Sequence, residues 1–214
     1  QAYGFDNTVE TYMAKNMEWG AVAYLSHTKY GTCTKGVCTE VGINNKGTWN
    51  TSNSTGSGTI TGCGSAPNSS ASTTCNVYNQ SGVIASTTGN IYGVYDMSGG
   101  NYEYVSASMI KSDGNFYAPT GITYGPSRKY HDYYSYGTTD TDASSRKRGK
   151  LGDASKETAT WYDDTKSQVY VSAYWMGRSL AFNNTNLAGI FSYHRISQTG
   201  SSYFSSRLVI SNNN

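Results

Sequence analysis

An α+β domain is predicted by three features of the sequence. One stretch near the start spaces its apolar residues helically, short apolar or aromatic runs recur between turn residues, and no strand–helix alternation of the parallel βαβ kind is present. The 214 residues suffice for one domain with a substantial core, so residues 1–214 are read as a single unit of short strands, two helices and long loops.

The first helix is expected in "VETYMAKNMEWGAVAYLS", Val9 to Ser26, where Tyr12, Met13 and Met17 recur at roughly helical spacing; Gly20 should end it, leaving "AVAYL" as a strand. From about 32 to 90 Gly, Ser, Thr and Asn dominate, and this reads as a long, stapled, loop-rich insertion. "GVYDMSGGNYEYV", residues 93–105, follows and reads first as a hairpin. Strands are then expected in "SMI", "GNFYAP", "KYHDYYSY", "SQVYVSAYWMG", "AGIFSYHRI" and "SRLVI", with a second helix within "DASKETATWYDD". No internal repeat is visible.

Composition excludes several functions. Charged residues make up 14% of the chain and the net charge is +2, while Gly (24) and Tyr (20) are abundant: an ordered, polar, β-leaning mixture. The first 110 residues carry four Lys/Arg against six Asp/Glu and the remainder twelve against eight, an asymmetry too weak to imply nucleic acid. The run "SSRKRGKLGDASK" has four cations in five positions but no interleaved aromatics, and reads as a solvated loop. No run of eighteen apolar residues occurs, so no membrane insertion is expected. The chain begins at Gln1 with neither Met nor a charged-then-apolar leader, which has the look of a processed chain.

The cysteines Cys33, Cys38, Cys63 and Cys75 all lie in the Gly/Ser/Thr/Asn-rich stretch with no histidine among them, which suits disulfides better than zinc and points to a secreted or surface location. Four cysteines permit three connectivities; the local one, Cys33–Cys38 with Cys63–Cys75, is the first choice.

Catalytic signatures are absent: no G-x-S-x-G, H-E-x-x-H, GxGxxG opening a helix, or P-loop. His27, His131 and His194 are scattered among aromatics and read as packed or surface residues. The acidic pairs Asp163/Asp164 and Asp140/Asp142 read as solvated loop residues rather than a glycosidase pair. Sequons starting at Asn50, Asn53, Asn68 and Asn79 matter only in a glycosylating host.

"GVYDMSGGNYEYV" resembles the "GLYDMxGNVWEW" signature of the formylglycine-generating, sulfatase-modifying family, whose domain is a variant of the C-type lectin fold. "NMEWGAVAYLSHTKYG", "GKLGDASKE", "AGIF" and "SRLVI" are similar to segments that recur in bacterial surface and prepilin-associated proteins carrying such a domain; together they span about Lys15 to Ile210. The resemblance implies a C-type-lectin-like fold. It also implies a structural calcium ion held by a side-chain oxygen, two backbone carbonyls and a closing glutamate, carried over here onto Asp96, Gly99, Asn101 and Glu103. The alternative for these residues is that Asp96 caps a turn and Glu103 bonds backbone amides or an arginine. "GGNYE" stands where the family often has "GNVWE".

The family's oxidases act through cysteines near the end of the domain, and no cysteine follows Cys75 here; relatives that form C–S bonds use a His-x-x-x-His iron site that His131 and His194 do not match. The chain is therefore expected to be no enzyme, with no catalytic residue or catalytic cofactor, and a divergent metal-dependent enzyme of the family is the weaker alternative.

Binding is the expected function, on a segment of about 174–206. Proteins diversified by retroelements use this fold and vary this segment, and "SYHRISQTGSSYFSS" has that character. Tyr and Trp offer large amphipathic contact area, Arg adds bidentate contacts, and Ser and Asn adapt their hydrogen bonds. The expected exposed face is Tyr174, Met176, Leu180, Phe182, Asn183, Asn184, Tyr193, His194, Arg195, Tyr203 and Phe204, with Trp175, Ile190 and Phe191 as core and Arg178 and Arg207 as structural. The expected role is an adhesin or receptor-binding domain, secreted or displayed on a bacterial cell or virion, whose partner is a surface protein or glycan; a pilus subunit or tip, assembled into pilus or virion, is the structural alternative.

Overall fold

The computed structural model describes residues 8–41, 83, 86–99, 102–110, 113, 115, 125–135, 149–162, 164–167, 169, 175–179, 188–196 and 204–212. It is α+β, mostly sheet, with one helix among the described residues.

The first predicted helix is two elements. Val9–Met13 is a strand, β1, and the helix α1 runs Asn16–Ser26, straight through Gly20. Lys15 starts α1: its N–H donates to Glu18 Oε2 at 2.8 Å, and the Met17 N–H donates to Asp132 Oδ2 at 2.8 Å, so two carboxylates meet the positive end of the helix. Its buried positions, Asn16, Trp19, Gly20, Ala23 and Ser26, keep helical spacing but are mostly small or polar. Gly20 is there for space, not for termination. A Cβ built on it would lie 2.4 Å from the backbone carbon of Asp153, so the loop carrying "GKLGDASKE" can touch α1 only at a glycine. That loop, with the residues expected to form a second helix, is a series of turns from 151 to 162. Its backbone is committed elsewhere, with Ala154 at φ 51° and Gly152 at φ 90°.

Cys33–Thr34 (β2) and Val37–Cys38 (β3) form a small hairpin whose central residues, Lys35 and Gly36, both have positive φ (51° and 82°). Cys33 and Cys38 are directly opposed and bonded as a disulfide. Cys63 and Cys75 lie outside the described residues, as does most of the expected insertion.

The remaining strands are β4 (Tyr102–Val105), β5 (Ala107–Ile110), β6 (Asp132–Ser135), β7 (Trp175–Arg178), β8 (Tyr193–Ile196), β9 (Phe204–Ser206) and β10 (Leu208–Asn212). Four of them make a sheet in the order β8-β7-β4-β9, with β4 parallel to β9 and the other pairs antiparallel. β1 pairs antiparallel with β10, and β5 pairs parallel with β6. Three hydrogen bonds tie these sheets together: Ala14 N–H to Arg207 O at 2.9 Å, Ser106 N–H to Ala14 O at 2.8 Å, and Asp132 N–H to Ser106 O at 2.9 Å.

The expected hairpin over 93–105 does not form as one unit. Its first part folds back onto the preceding turn, Tyr95 bridging Ser86 and the Thr87 N–H bonding Val94 O at 3.0 Å, while β4 takes its partners from the C-terminal segment. Asp96 (φ 60°) and Gly99 (φ 75°) turn the chain between the two parts.

The core gathers Trp19 and Ala23 of α1, Met97, Val105, Met109, Tyr134, Met176, Ile190, Phe191 and Tyr193. Ile190 and Phe191 are fully buried, as expected, and burying each such side chain stabilises by about 2 kcal/mol. Gly189 permits this packing, because a Cβ there would lie 1.9 Å from the carboxylate of Asp164, whose Oδ2 accepts the Phe191 N–H at 3.1 Å.

A candidate binding face on the four-stranded sheet

Strand pairing decides which residues share a face. Across β4 and β7, Glu103 opposes Arg178, Tyr104 opposes Gly177, and Val105 opposes Met176. Across β4 and β9, Tyr102 opposes Phe204 and Tyr104 opposes Ser206; across β7 and β8, Gly177 opposes His194 and Arg178 opposes Tyr193. Opposed residues point to the same side. Glu103, Val105, Met176, Arg178 and Tyr193 thus face inward and are buried, while Tyr102, Tyr104, Phe204, Trp175 and His194 share the outer face, each half-exposed.

On that outer face the Phe204 ring packs edge-on to Tyr102 (centroids 5.1 Å apart) and stacks on Tyr104 (4.8 Å, planes 29° apart). Burial raises the Tyr104 hydroxyl pKa above its ordinary value. Gly177 leaves a gap in the sheet surface that Ile196 fills: a Cβ on Gly177 would sit 2.5 Å from Ile196 Cδ1.

Of the residues expected to be exposed, His194 and Phe204 lie on this face. Arg195 is half-exposed but opposes Met176, on the other side of the sheet. Met176 and Tyr193 are corrections, since both are fully buried and the period-2 alternation of their strands turns them inward. Trp175, expected in the core, is half-buried on the outer side. Tyr174, Leu180, Phe182, Asn183, Asn184 and Tyr203 lie outside the described residues. Tyr102 and Tyr104 were missed, and the signal for them is the alternation "YEYV" itself.

The inner face is polar at its heart. Arg178 is fully buried; its Nε–H donates to Asn16 Oδ1 at 2.7 Å, Nη2 to Asp153 O at 2.6 Å, and Nη1 to Ala154 O at 3.2 Å and Ser192 O at 3.4 Å. Asp153 Oδ2 accepts the Tyr134 hydroxyl at 2.7 Å and the Lys150 N–H at 2.9 Å. Asn16 Nδ2 closes the ring by donating to the Tyr134 hydroxyl at 2.6 Å. Every one of these buried groups has a partner, which is what makes such a network tolerable.

The motif residues assigned to calcium meet an arginine. Arg207 donates from Nε to Glu103 Oε2 at 2.6 Å and from Nη2 to Glu103 Oε1 at 2.7 Å and to the main-chain oxygen of Asp96 at 2.5 Å. The Gly99 carbonyl accepts the Ser179 hydroxyl at 3.0 Å. Asp96 Oδ1 is buried with no hydrogen-bond donor on it, and Asn101 lies outside the described residues. Burial pushes the Glu103 carboxyl up to about 7 against the pull of Arg207, with the Asp96 charge adding to the rise; burial also raises Asp96, again opposed by Arg207.

His131 is buried, with Nδ1 2.8 Å from Ser106 Oγ and Nε2 2.6 Å from Ser108 Oγ, and burial lowers its pKa to about 4. His27 packs among Trp161, Tyr162 and Phe191 and bonds the Tyr162 hydroxyl. No helix among the described residues is long and apolar enough to cross a membrane. Compared with protein-family models, curated proteins and solved structures, the chain finds no match.

Proposed function

We propose that this chain is a non-catalytic ligand-binding domain of C-type-lectin-like fold, akin to the formylglycine-generating family, which serves as an adhesin or receptor-binding module on a cell or virion surface. The observation that carries this reading is the outer sheet face: Tyr102, Tyr104, Phe204, Trp175 and His194 stand half-exposed on strands whose other side is held by the hydrogen bonds of buried Arg178 and by the Glu103–Arg207 ion pair. Aromatic groups with few rotatable bonds on a rigid support lose little entropy on binding.

The fold assignment draws support from two arrangements. β1 and β10 pair and bring the two ends of the described chain together, and three of the four sheet strands, β7, β8 and β9, come from the segment expected to bind. Non-catalysis draws support from His131, both of whose ring nitrogens are engaged by serines and whose depressed pKa makes it a weak base.

A binding screen tests the proposal: the labelled protein against a glycan array and a panel of intact cells, with wild type compared to a variant lacking the Tyr104 and Phe204 rings. Diversification is tested separately by codon alignment of this locus across close relatives. Substitutions concentrated at adenine-templated codons of 174–206 support it, and an even spread rejects it.

A further inference from the structure

We infer that the guanidinium of Arg207 occupies the place of the cation in the "DMSGGNYE" turn, so that this domain folds without calcium. A calcium ion needs six to eight oxygens converging at about 2.3–2.6 Å. Of the oxygens that the family resemblance would supply, both of Glu103 are taken by Arg207 Nε and Nη2 (2.6 and 2.7 Å), and the Gly99 carbonyl is taken by Ser179 (3.0 Å). Nη2 also donates to the Asp96 main-chain oxygen at 2.5 Å, which places the guanidinium's positive charge at the start of the turn. Of that set the described residues leave only the Asp96 carboxylate open, too few oxygens to hold the ion as they stand. They do fit a planar cation with a fork of N–H donors.

The position is built for Arg207. The side chain leaves the junction of β9 and β10, its guanidinium lies 5.6 Å from the Trp19 ring centroid, and the main-chain oxygen of the same residue accepts the Ala14 N–H at 2.9 Å. One residue thus joins β1, α1, the turn and β4. A diffusible ion would brace the turn alone, whereas an arginine also binds it to the junction of β9 and β10. Asp96 Oδ1, buried without a donor, has this guanidinium as its neighbouring positive charge.

Thermal unfolding in chelator and in millimolar calcium tests the inference. The wild type should melt at the same temperature in both, and Glu103→Gln should show the same lack of response. A calcium-induced rise in Tm that Glu103→Gln abolishes would overturn it. Arg207→Ala should melt well below wild type and recover part of the loss in calcium but not in magnesium, because two carboxylates are left facing one another. If Arg207→Ala does not fold in chelator, its refolding on calcium addition reads the same recovery, and failure of calcium to restore anything would contradict the substitution of guanidinium for ion.

Discussion

Arg178 Nε and Asn16 Oδ1 meet at 2.7 Å in an interior from which solvent is shut out, and the contact joins β7 to the first turn of α1. The same guanidinium takes the carbonyls of Asp153 and Ala154, so a helix, a strand and an irregular loop depend on one side chain. Arg178→Lys keeps the charge but loses the fork, stranding Asn16 or the carbonyls. The expected cost is about 3 kcal/mol or more, read by urea unfolding at neutral pH. A loss below ~1 kcal/mol would mean that the network is not what holds the loop.

Gly20 and Asp153 give a prediction of opposite sign to helix propensity. Gly20→Ala should gain about 1 kcal/mol from the helix itself. It places a Cβ 2.4 Å from Asp153 backbone carbon, and backbone cannot swing aside as a flexible side chain can. Overpacking of this kind costs roughly 1–3 kcal/mol, so net destabilisation is expected. Exposed Ala21 is the control, where Ala21→Gly should lose only the propensity, about 1 kcal/mol.

His131 makes stability depend on acid. Its folded pKa, about 4, lies below the ordinary 6.5, so folding favours the neutral ring. The contribution is whole above about pH 6.5 and is lost as pH falls toward 4, by up to ~3 kcal/mol. Raised carboxyl pKa values at Glu103 and Asp96 act in the opposite sense, gaining stability on acidification, so the His131 part must be read by difference. Wild type should lose stability relative to His131→Asn between pH 6.5 and 4, and an NMR titration should find the His131 ring neutral through most of that range. Titration near 6.5 would contradict the burial argument.

The legible parts of the sequence were those with a short period. "SMI", "KYHDYYSY", "AGIFSYHRI" and "SRLVI" each hold a strand, and the opposed pair Cys33 and Cys38 forms the first of the local disulfides expected. What misled was tertiary. α1 buries Asn16, Gly20 and Ser26, residues that carry no apolar signal, while Tyr12 and Met13, which share helical spacing with Met17, belong to β1. The residues 153–162 look helical by composition but are held in turns by Arg178 and by the close approach to Gly20. In the candidate face, residue type points Met176 and Tyr193 outward, but strand alternation turns both into the core. Tyr102 and Tyr104 are legible only from the alternation of "YEYV", in which Glu103 and Val105 turn inward.

The proposed binding role of the outer face is tested most directly by binding to the glycan array and the cell panel by wild type and by the Tyr104→Ser/Phe204→Ser double variant, with circular dichroism to show that both are folded. Loss of the stacked Tyr104–Phe204 pair should weaken retention roughly tenfold or more. Wild type should be retained on at least one surface, and the double variant should lose that retention while keeping its fold. Equal retention by the two proteins, or no retention of the wild type on either panel, would contradict it.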